Sequence, residues 1–312
     1  MKILVTGGSG FLGTSLVKSL RKDDNEVLSL SSKDADLCDS NSLNKYSNIK
    51  FEKIYHLAAW TQAGDFCLYH PGEQWIKNQQ INTTVLKWWS DKQPQAKLIS
   101  MGTSCAYEEG LDLKEEFYLQ GNPNDDLFTY AMTKRMMYIG QQSLAKQYGL
   151  KFLTVVPSTL YGPDYHIDGK QMHFIFDLAW KILSCKYFDD DIVLWGDGNQ
   201  RREIVFLDDF IRDLFLLEKV VENDVVNIGA NIDFSIREFA DILCDLIGVD
   251  SSKIQYDTSK YVGSKVKRLC IKKEESLLGK LERTDLKVGL NRMLFWLEPK
   301  FVEYKSKSRK IN

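Results

Sequence analysis

The sequence predicts an α/β fold, built as a doubly wound parallel sheet with a smaller C-terminal α/β lobe. Short apolar runs alternate with longer helical patterns through the first half of the chain, as in consecutive βαβ units. The runs are apolar at successive positions, which is typical of strands covered by helices on both faces of a sheet. These two observations define the fold class before any motif is considered.

The individual elements follow in chain order. Strands are predicted at residues 2–5, 27–30, 53–57, 97–100 and 151–156, and helices over 74–92 and 130–148. After Pro157 the loops lengthen and the remaining strands are short and separated. We therefore divide the chain into residues 1–163, which form the sheet domain, and residues 164–312, which form mainly the smaller lobe. A strand near 225–229 is expected to return to the first sheet.

Composition narrows the function classes. The 312 residues carry 41 basic and 43 acidic side chains, so the net charge of −2 gives no indication of a nucleic-acid surface. No apolar run is long enough to span a membrane, and the chain opens with a strand pattern, without an apolar leader. The six cysteines lack C-x-x-C spacing and are interpreted as free thiols. We expect a cytoplasmic protein that binds neither nucleic acid nor membrane.

The first motif is a glycine-rich turn between the first strand and the first helix. Gly7, Gly10 and Gly13 form a G-x-x-G-x-x-G run. Gly7 permits the tight turn, Gly10 lets the backbone approach a pyrophosphate, and Gly13 lets helix and strand pack closely. The phosphates would lie at the helix N-terminus, where N–H groups and the helix dipole favour negative charge. The motif predicts a dinucleotide site, with a purely structural turn as the alternative.

The second motif pairs a phenol with an ammonium. Tyr130 and Lys134 are four residues apart on a predicted helix and therefore share a face. A nearby ammonium lowers the pKa of a phenol, and such a tyrosine can move a proton to or from a substrate hydroxyl. The Y-x-x-x-K spacing alone also occurs by chance in many helices. Its combination with the upstream glycine turn favours the catalytic interpretation.

The third motif follows the fourth predicted strand. Residues 100–107 read SMGTSCAY, and ligands of open α/β sheets bind beyond this edge of the sheet. Thr103 is placed where it can share a hydrogen bond with a reacting oxygen. A simple Ser/Thr turn is the alternative.

Together these residues resemble the signature of extended short-chain dehydrogenase/reductases, the NAD-dependent epimerase/dehydratase family. The resemblance covers roughly residues 1–240 and implies a Rossmann domain at 1–163 and a substrate lobe in the remainder. It implies nucleotide-sugar chemistry, with Thr103, Tyr130 and Lys134 as catalytic residues. The further residues that it places beside the cofactor are Phe11, Leu12, Asp36, Leu37, Leu57, Ala58, Ala59, Asn78 and Pro157.

Within that family the chain most resembles the GDP-fucose synthases. Cys105 and His173 match the acid/base cysteine and its histidine partner in those enzymes. Such a pair could remove and return protons beside a 4-keto group, whereas inert packing of the cysteine or a core or capping histidine remain the alternatives. A dehydratase is disfavoured because no carboxylate stands at the Cys105 position. The candidate substrate contacts are Thr103, Ser104, Cys105, His173 and Arg202.

Two candidate contacts concern phosphate groups. Arg202 can bind a nucleotide pyrophosphate bidentately, or instead form a surface ion pair with Glu203 or a neighbouring Asp. The second predicted strand is followed by Ser31 and Lys33, which are candidate cofactor contacts, without a carboxylate for an NAD ribose and without the Arg of NADP-dependent relatives. Lys33 could meet a phosphate or simply be solvated. NAD and NADP therefore both stay open as cofactors.

The central hypothesis is hydride transfer at C4 of a nucleotide-sugar, expected to be a GDP-linked hexose, 6-deoxyhexose or heptose. A 4-epimerase, a 3,5-epimerase/4-reductase using Cys105 and His173, and a non-catalytic NAD(P)-binding regulator are the alternatives. The helix of Tyr130 also carries Met136, Met137 and Tyr138. The resemblance implies that helices of this kind form a homodimer or homotetramer interface.

Overall fold

The computed structural model describes residues 1–62, 66–260 and 264–309. Within these ranges the main sheet has six strands, all parallel, in the order β10-β5-β4-β3-β1-β2. These strands are β1 (Lys2–Thr6), β2 (Glu26–Leu30), β3 (Lys53–His56), β4 (Lys97–Met101), β5 (Phe152–Pro157) and β10 (Asp224–Ile228). The predicted parallel α/β fold is confirmed.

Helices cover the sheet and build the C-terminal lobe. They are α1 (Phe11–Lys22), α2 (Phe66–Tyr69), α3 (Pro71–Lys92), α4 (Phe128–Tyr148), α5 (Phe174–Phe188), α6 (Leu207–Val220), α7 (Ile236–Ile247), α8 (Lys272–Leu278) and α9 (Leu286–Arg309). Short 3₁₀ helices lie at Asn44–Tyr46, Ser104–Ala106, Glu115–Phe117, Asp125–Leu127 and Ser251–Lys253. No helix in the described ranges combines the length and apolar character needed to cross a membrane.

The sheet is buried on both faces, which explains its apolar strands. Successive side chains of a strand point to opposite faces, and β5 shows this with Phe152 and Leu153. Phe152 packs into the core beneath α3 and α4, whereas Leu153 packs into the core beneath α1 and α6. A further core lies among α5, α7 and α9 in the C-terminal lobe.

Short strands complete the C-terminal half. They are β6 (Thr159–Tyr161), β7 (Ile192–Trp195), β8 (Arg201–Arg202), β9 (Ile204–Phe206), β11 (Phe234–Ser235), β12 (Ile254–Asp257) and β13 (Val266–Lys267). Strand β8 lies between β11 and β13 in a small sheet of its own. Strand β10 joins the edge of the main sheet beside β5, with Asp224 opposite Leu153.

The order of the strands positions a ligand cleft. Strand β1 has β2 on one side and β3 on the other, so the chain reverses its direction of travel across the sheet at β1. In open α/β sheets, ligands bind beyond the carboxyl ends of the strands at such a point. The glycine-rich turn after β1 and the segment after β3 meet here.

Candidate active site

The glycine-rich turn is packed so closely that Gly7 and Gly13 leave no space for a side chain. Gly7 has a φ of +69°, and a Cβ atom there would lie 2.7 Å from the Ala58 nitrogen. A Cβ atom on Gly13 would lie 2.2 Å from the Gly7 carbonyl oxygen, whereas one on Gly10 would lie 3.3 Å from it. The turn therefore presents main chain, which is the surface that a pyrophosphate requires.

The N-terminus of α1 is suited to an anion. Gly10 is its N-cap residue and supplies no side-chain hydrogen bond, and the first turn has no acidic residue. The Phe11 ring does not face this site, because it packs edge-on against Tyr165 and Phe176 with centroids 5.0 and 5.8 Å away. Leu12 packs against the core beneath α1. Only the main chain of these two residues can therefore contact phosphate, and the turn fits a dinucleotide.

A carboxylate that the sequence analysis did not place lies at the end of β2. Asp34 folds back so that its Oδ2 accepts hydrogen bonds from the Ser31 backbone N–H at 2.8 Å and hydroxyl at 2.6 Å. These bonds lower the pKa of Asp34. The expectation of no carboxylate here is thus corrected, because a turn returns Asp34 to the strand end. Lys33 is exposed nearby, and the Lys45 ammonium binds the Asp34 carbonyl oxygen at 2.6 Å.

The next candidate residues continue around the cleft. The exposed Asp36 carboxylate accepts the Cys38 N–H at 3.0 Å, and Leu37 is buried. Pro157 ends β5 and is half-buried. The Asp36 carboxylate already accepts a hydrogen bond within its own turn, so a ligand can contact it only from the solvent side.

Residues 57–59 follow β3 and are half-buried beside the glycine turn. Leu57 continues the ladder by donating its N–H to the Thr6 carbonyl at 3.2 Å. Asn78 of α3 holds the next part of this segment: it accepts the Trp60 N–H at 2.9 Å and donates to the Trp60 carbonyl at 3.0 Å. The Asn78 amide therefore holds the main chain that follows Ala58 and Ala59.

A buried histidine links the glycine turn to the helix of Tyr130. His56 Nδ1 lies 2.8 Å from the Thr6 hydroxyl, and its Nε2 lies 3.4 Å from Asn82 Oδ1. Asn82 in turn donates to the Thr133 carbonyl of α4 at 3.1 Å. Burial and the nearby Lys134 charge lower the pKa of His56 to about 3, so the ring is neutral. Sequence reasoning missed this link, although His56 lies within the predicted strand 53–57 and ends the observed strand β3.

Tyr130, Lys134 and Thr103 lie together at the carboxyl edge of the sheet. Lys134 Nζ is 5.9 Å from the centroid of the Tyr130 ring. Burial lowers the pKa of Lys134 to about 8. Burial also raises the pKa of Tyr130, and electrostatic interactions with Cys105 and Cys67 raise it further. A hydrogen bond with the neighbouring Thr103 hydroxyl acts in the opposite direction. The lowering expected from Lys134 is therefore outweighed by desolvation of the phenol.

Cys105 contacts a lysine that the sequence analysis did not identify. Lys267 Nζ donates to Cys105 Sγ at 3.0 Å. Burial acts to raise the pKa of the thiol, but the Lys267 charge and the hydrogen bonds from Lys267 and Thr103 outweigh it and lower the pKa. Ser104, beside it, lines a small cavity together with Arg202 and Lys267. No spacing pattern in the C-terminal segment distinguishes Lys267 from its basic neighbours.

His173 is the N-cap residue of α5. Its N–H donates to the Tyr165 hydroxyl at 3.1 Å, and the two rings lie 6.2 Å apart. Although His173 is exposed to solvent, the surrounding protein lowers the pKa of its imidazole, and the charges of Lys267 and His166 add to this. Lys267 thus influences both members of the predicted Cys105–His173 pair.

Arg202 and Glu203 have separate partners. Arg202 Nη1 donates to the carbonyl oxygens of Arg201 at 2.9 Å and Ser264 at 2.7 Å. Glu203 is 2% exposed, and its carboxylate accepts backbone N–H groups from residues 230, 231 and 269. The carboxylate of Glu203 therefore stabilises the main chain at residues 230, 231 and 269.

Comparison with known proteins identifies the class. A model of the NAD dependent epimerase/dehydratase family matches residues 3–229. The chain therefore belongs to this family, which confirms the resemblance drawn from its motifs.

Two curated relatives align along nearly the whole chain. GDP-L-colitose synthase of Yersinia pseudotuberculosis is 27% identical over 310 residues, covering 94% of this chain and 96% of that protein. GDP-L-fucose synthase of Sinorhizobium fredii is 28% identical over 295 residues, covering 93% of each chain.

Solved structures share the fold. A GDP-6-OMe-4-keto-L-xylo-heptose reductase from C. jejuni has a TM-score of 0.86 at 22% identity, with 96% of this chain and 98% of that chain covered. A GDP-mannoheptose C4 reductase from Campylobacter jejuni, solved with NADP bound, has a TM-score of 0.84 at 23% identity, with coverages of 95% and 98%.

Proposed function

We propose that this protein is an NAD(P)-dependent oxidoreductase that transfers hydride at C4 of a GDP-linked sugar. The observation that carries the proposal is the grouping of Tyr130, Thr103 and Lys134 beside the dinucleotide-type turn. The names of the relatives supply the GDP-sugar class. In this proposal residues 1–163 hold the cofactor and residues 164–312 mainly hold the substrate.

The side chains of this protein transfer the proton and orient the substrate. A bound dinucleotide supplies or accepts the hydride. Tyr130 donates a proton to the C4 oxygen during reduction, or accepts it during oxidation, and Thr103 shares a hydrogen bond with that oxygen. The buried Lys134 ammonium stabilises negative charge beside the phenol and holds the nicotinamide ribose.

The substrate side gathers positive charge from the C-terminal half. Arg202 and Lys267 line the same small cavity as Ser104, next to Cys105. The guanidinium of Arg202 suits the pyrophosphate of a GDP-sugar. The pyrophosphate would lie outside this cavity, because a volume of about 10 Å³ holds no more than a water molecule. The sugar ring then lies among Thr103, Cys105 and His173.

The end of β2 is compatible with either dinucleotide. The Asp34 carboxylate beside Ser31 suits a ribose hydroxyl, whereas Lys33 and Lys45 suit a 2′-phosphate. The opposing charges lie within one turn, so we leave the cofactor as NAD or NADP.

A second candidate is epimerisation at the carbons beside C4, coupled to the same reduction. It is favoured by the contact between Lys267 and Cys105, because a base must be ionised to take a proton from carbon. Exchange of solvent deuterium into a 4-keto substrate distinguishes this function from simple C4 reduction.

We further propose a homodimer or homotetramer assembled through α3 and α4. Exposed apolar side chains on these packed helices include Trp75, Ile76, Met136 and Ile139. Of the three residues named from the sequence, only Met136 is exposed, because Met137 and Tyr138 point into the core. A monomer in analytical sedimentation would contradict the assembly.

The reaction chemistry also suggests a setting. A sugar linked to GDP is an activated donor for glycosyl transfer, so we place the product in the supply of capsule or other polysaccharide precursors. We propose a cytoplasmic location, where NAD(P) pools are maintained. Cell fractionation tests this placement.

Replacing Tyr130 by Phe tests the proposed chemistry. Loss of the proton donor should lower turnover of a GDP-linked 4-keto-6-deoxyhexose by about 100- to 10,000-fold while leaving GDP-sugar binding intact. Tyr138→Phe is the matched control, because that phenol lies on the same helix but is buried against the core. Near-normal turnover of Tyr130→Phe would refute the assignment.

A further inference from the structure

Both ends of the turn that carries Cys105 are anchored. The Thr103 hydroxyl accepts the Cys105 N–H at 3.2 Å and so caps the 3₁₀ helix Ser104–Ala106. At the other end, Arg135 of α4 is buried and its Nε donates to the Ala106 carbonyl at 2.9 Å. The thiol is therefore presented from a main-chain segment with little freedom to move.

Lys267 is positioned from a different part of the chain. Strand β13 pairs in parallel with β8, so Lys267 lies opposite Arg202. The Glu203 N–H donates to the Lys267 carbonyl at 3.1 Å, and the Glu203 carboxylate accepts the Leu269 N–H at 2.9 Å. One buried residue thus holds the main chain on both sides of residue 268, and Lys267 reaches Cys105 from this anchor.

Three further titratable groups that interact electrostatically with Cys105 are neutral at pH 7. They are Tyr130 on α4, Tyr118 beyond the 3₁₀ helix Glu115–Phe117, and Cys67 on α2. Burial raises the pKa of each above its ordinary value, which already lies above neutrality. The charged partner at hydrogen-bond distance from the thiol is Lys267, at 3.0 Å.

We propose that Lys267 is a positioning residue that holds Cys105 as a thiolate aimed at the substrate cleft. The inference rests on the proposed function, in which a 4-keto sugar lies beside Cys105. There the thiolate takes a proton from the carbon next to the ketone: the C–H bond breaks, an S–H bond forms, and the electron pair moves onto the ketone oxygen as an enolate. Reprotonation of that carbon by solvent regenerates the ketone, and the thiol returns its proton to solvent.

The thiolate can be tested without any substrate. The rate of Cys105 alkylation by iodoacetamide is measured against pH by peptide-resolved mass spectrometry, with Cys38 as an internal reference in every digest. The pH at which wild-type Cys105 reaches half of its maximal alkylation rate, the midpoint, should lie below the pKa of an ordinary cysteine, which is about 8.5. Lys267→Met should raise the midpoint and lower the rate at pH 7 about tenfold or more, whereas Lys267→Arg should retain most of the wild-type rate.

Two further variants serve as controls for the alkylation experiment. Cys105→Ser should abolish the labelled peptide, and Lys265→Met removes an exposed charge from the same segment and should shift the midpoint far less. The proposal is overturned if wild-type Cys105 titrates like an ordinary thiol, or if Lys267→Met leaves its midpoint unchanged. An equal shift of the Cys105 midpoint in Lys265→Met would overturn it too, because the shift would then not depend on the contact between Lys267 and Cys105. Far-ultraviolet circular dichroism confirms that each variant is folded.

A second readout separates this proposal from the proposed function. Wild-type protein is incubated in D₂O with a GDP-linked 4-keto-6-deoxyhexose and no dinucleotide, and deuterium beside the ketone is measured. Entry of deuterium that falls about tenfold in Lys267→Met supports the thiolate as the base. A shifted alkylation midpoint without deuterium entry would uphold the Lys267 contact and refute epimerisation. Equal entry in wild type and Lys267→Met would overturn the role of Lys267.

Discussion

The two halves of the cleft are built by opposite means. On the cofactor side, Gly7 and Gly13 let main chain approach main chain, and α1 begins without a side-chain cap. On the proposed substrate side, side chains from separate segments meet around Lys267: its ammonium contacts Cys105, its charge acts on His173, and it lines a small cavity with Arg202. In the proposed function the first half depends on the close approach of main chain, and the second depends on side chains that meet from separate segments. The two halves should therefore respond differently to substitution.

The largest expected effect in this comparison comes from adding one methyl group to the cofactor half. Gly13→Ala would place a Cβ atom 2.2 Å from the Gly7 carbonyl oxygen and 2.8 Å from the Gly8 Cα. Relieving that overlap destabilises the fold by about 1–3 kcal/mol and displaces the main chain of the turn. Because the displaced main chain no longer matches the pyrophosphate, dinucleotide affinity should fall by about 10- to 100-fold. Dinucleotide binding is measured by fluorescence titration.

Gly72→Ala is the matched control for this prediction. Gly72 also lies in the first turn of a helix, but a Cβ atom there meets nothing within 4 Å. Its dinucleotide affinity should stay at the wild-type value. Equal affinities for Gly13→Ala and wild type would show that the close packing of this turn does not serve the dinucleotide.

A smaller effect should appear as a pH dependence of binding. Lys134 has a pKa lowered to about 8 by burial, so its ammonium is present below that pH and is lost as the pH rises through it. If the ammonium holds the dinucleotide, the dissociation constant should be level below pH 8 and rise above it, approaching about tenfold per pH unit. Isothermal titration across pH 6–10 measures this profile.

Two variants sharpen the pH experiment. Lys134→Met should bind more weakly and show a flat profile, whereas Lys146→Met, at an exposed position on the same helix, should keep the wild-type profile. A wild-type dissociation constant that does not change with pH would contradict the proposed contact between Lys134 and the dinucleotide.

The sequence predicted the half of the site whose residues are close together along the chain. The strand pattern located β1, and the glycine spacing located the turn that follows it. Tyr130 and Lys134 were found because one helical turn separates them. Each of these inferences uses spacing within a single element, which local backbone geometry determines.

The residues that were missed reach the cleft through long-range contacts. Lys267 meets Cys105 across 162 positions of sequence, through the pairing of two short strands. His56 meets Asn82 of α3 across 26 positions. Asp34 differs, because a local turn of three residues returns its carboxylate to Ser31 at the end of β2. The raised pKa of Tyr130 likewise depends on burial, which spacing cannot show.

The most direct test of the proposed reaction follows the hydride itself. A GDP-linked 4-keto-6-deoxyhexose is reduced with nicotinamide cofactor deuterated at the transferable position, using the phosphorylated and unphosphorylated forms in parallel, and the product is examined by nuclear magnetic resonance and mass spectrometry. We predict one deuterium, located on C4. A product that carries no deuterium, or carries it on another carbon, would contradict the account.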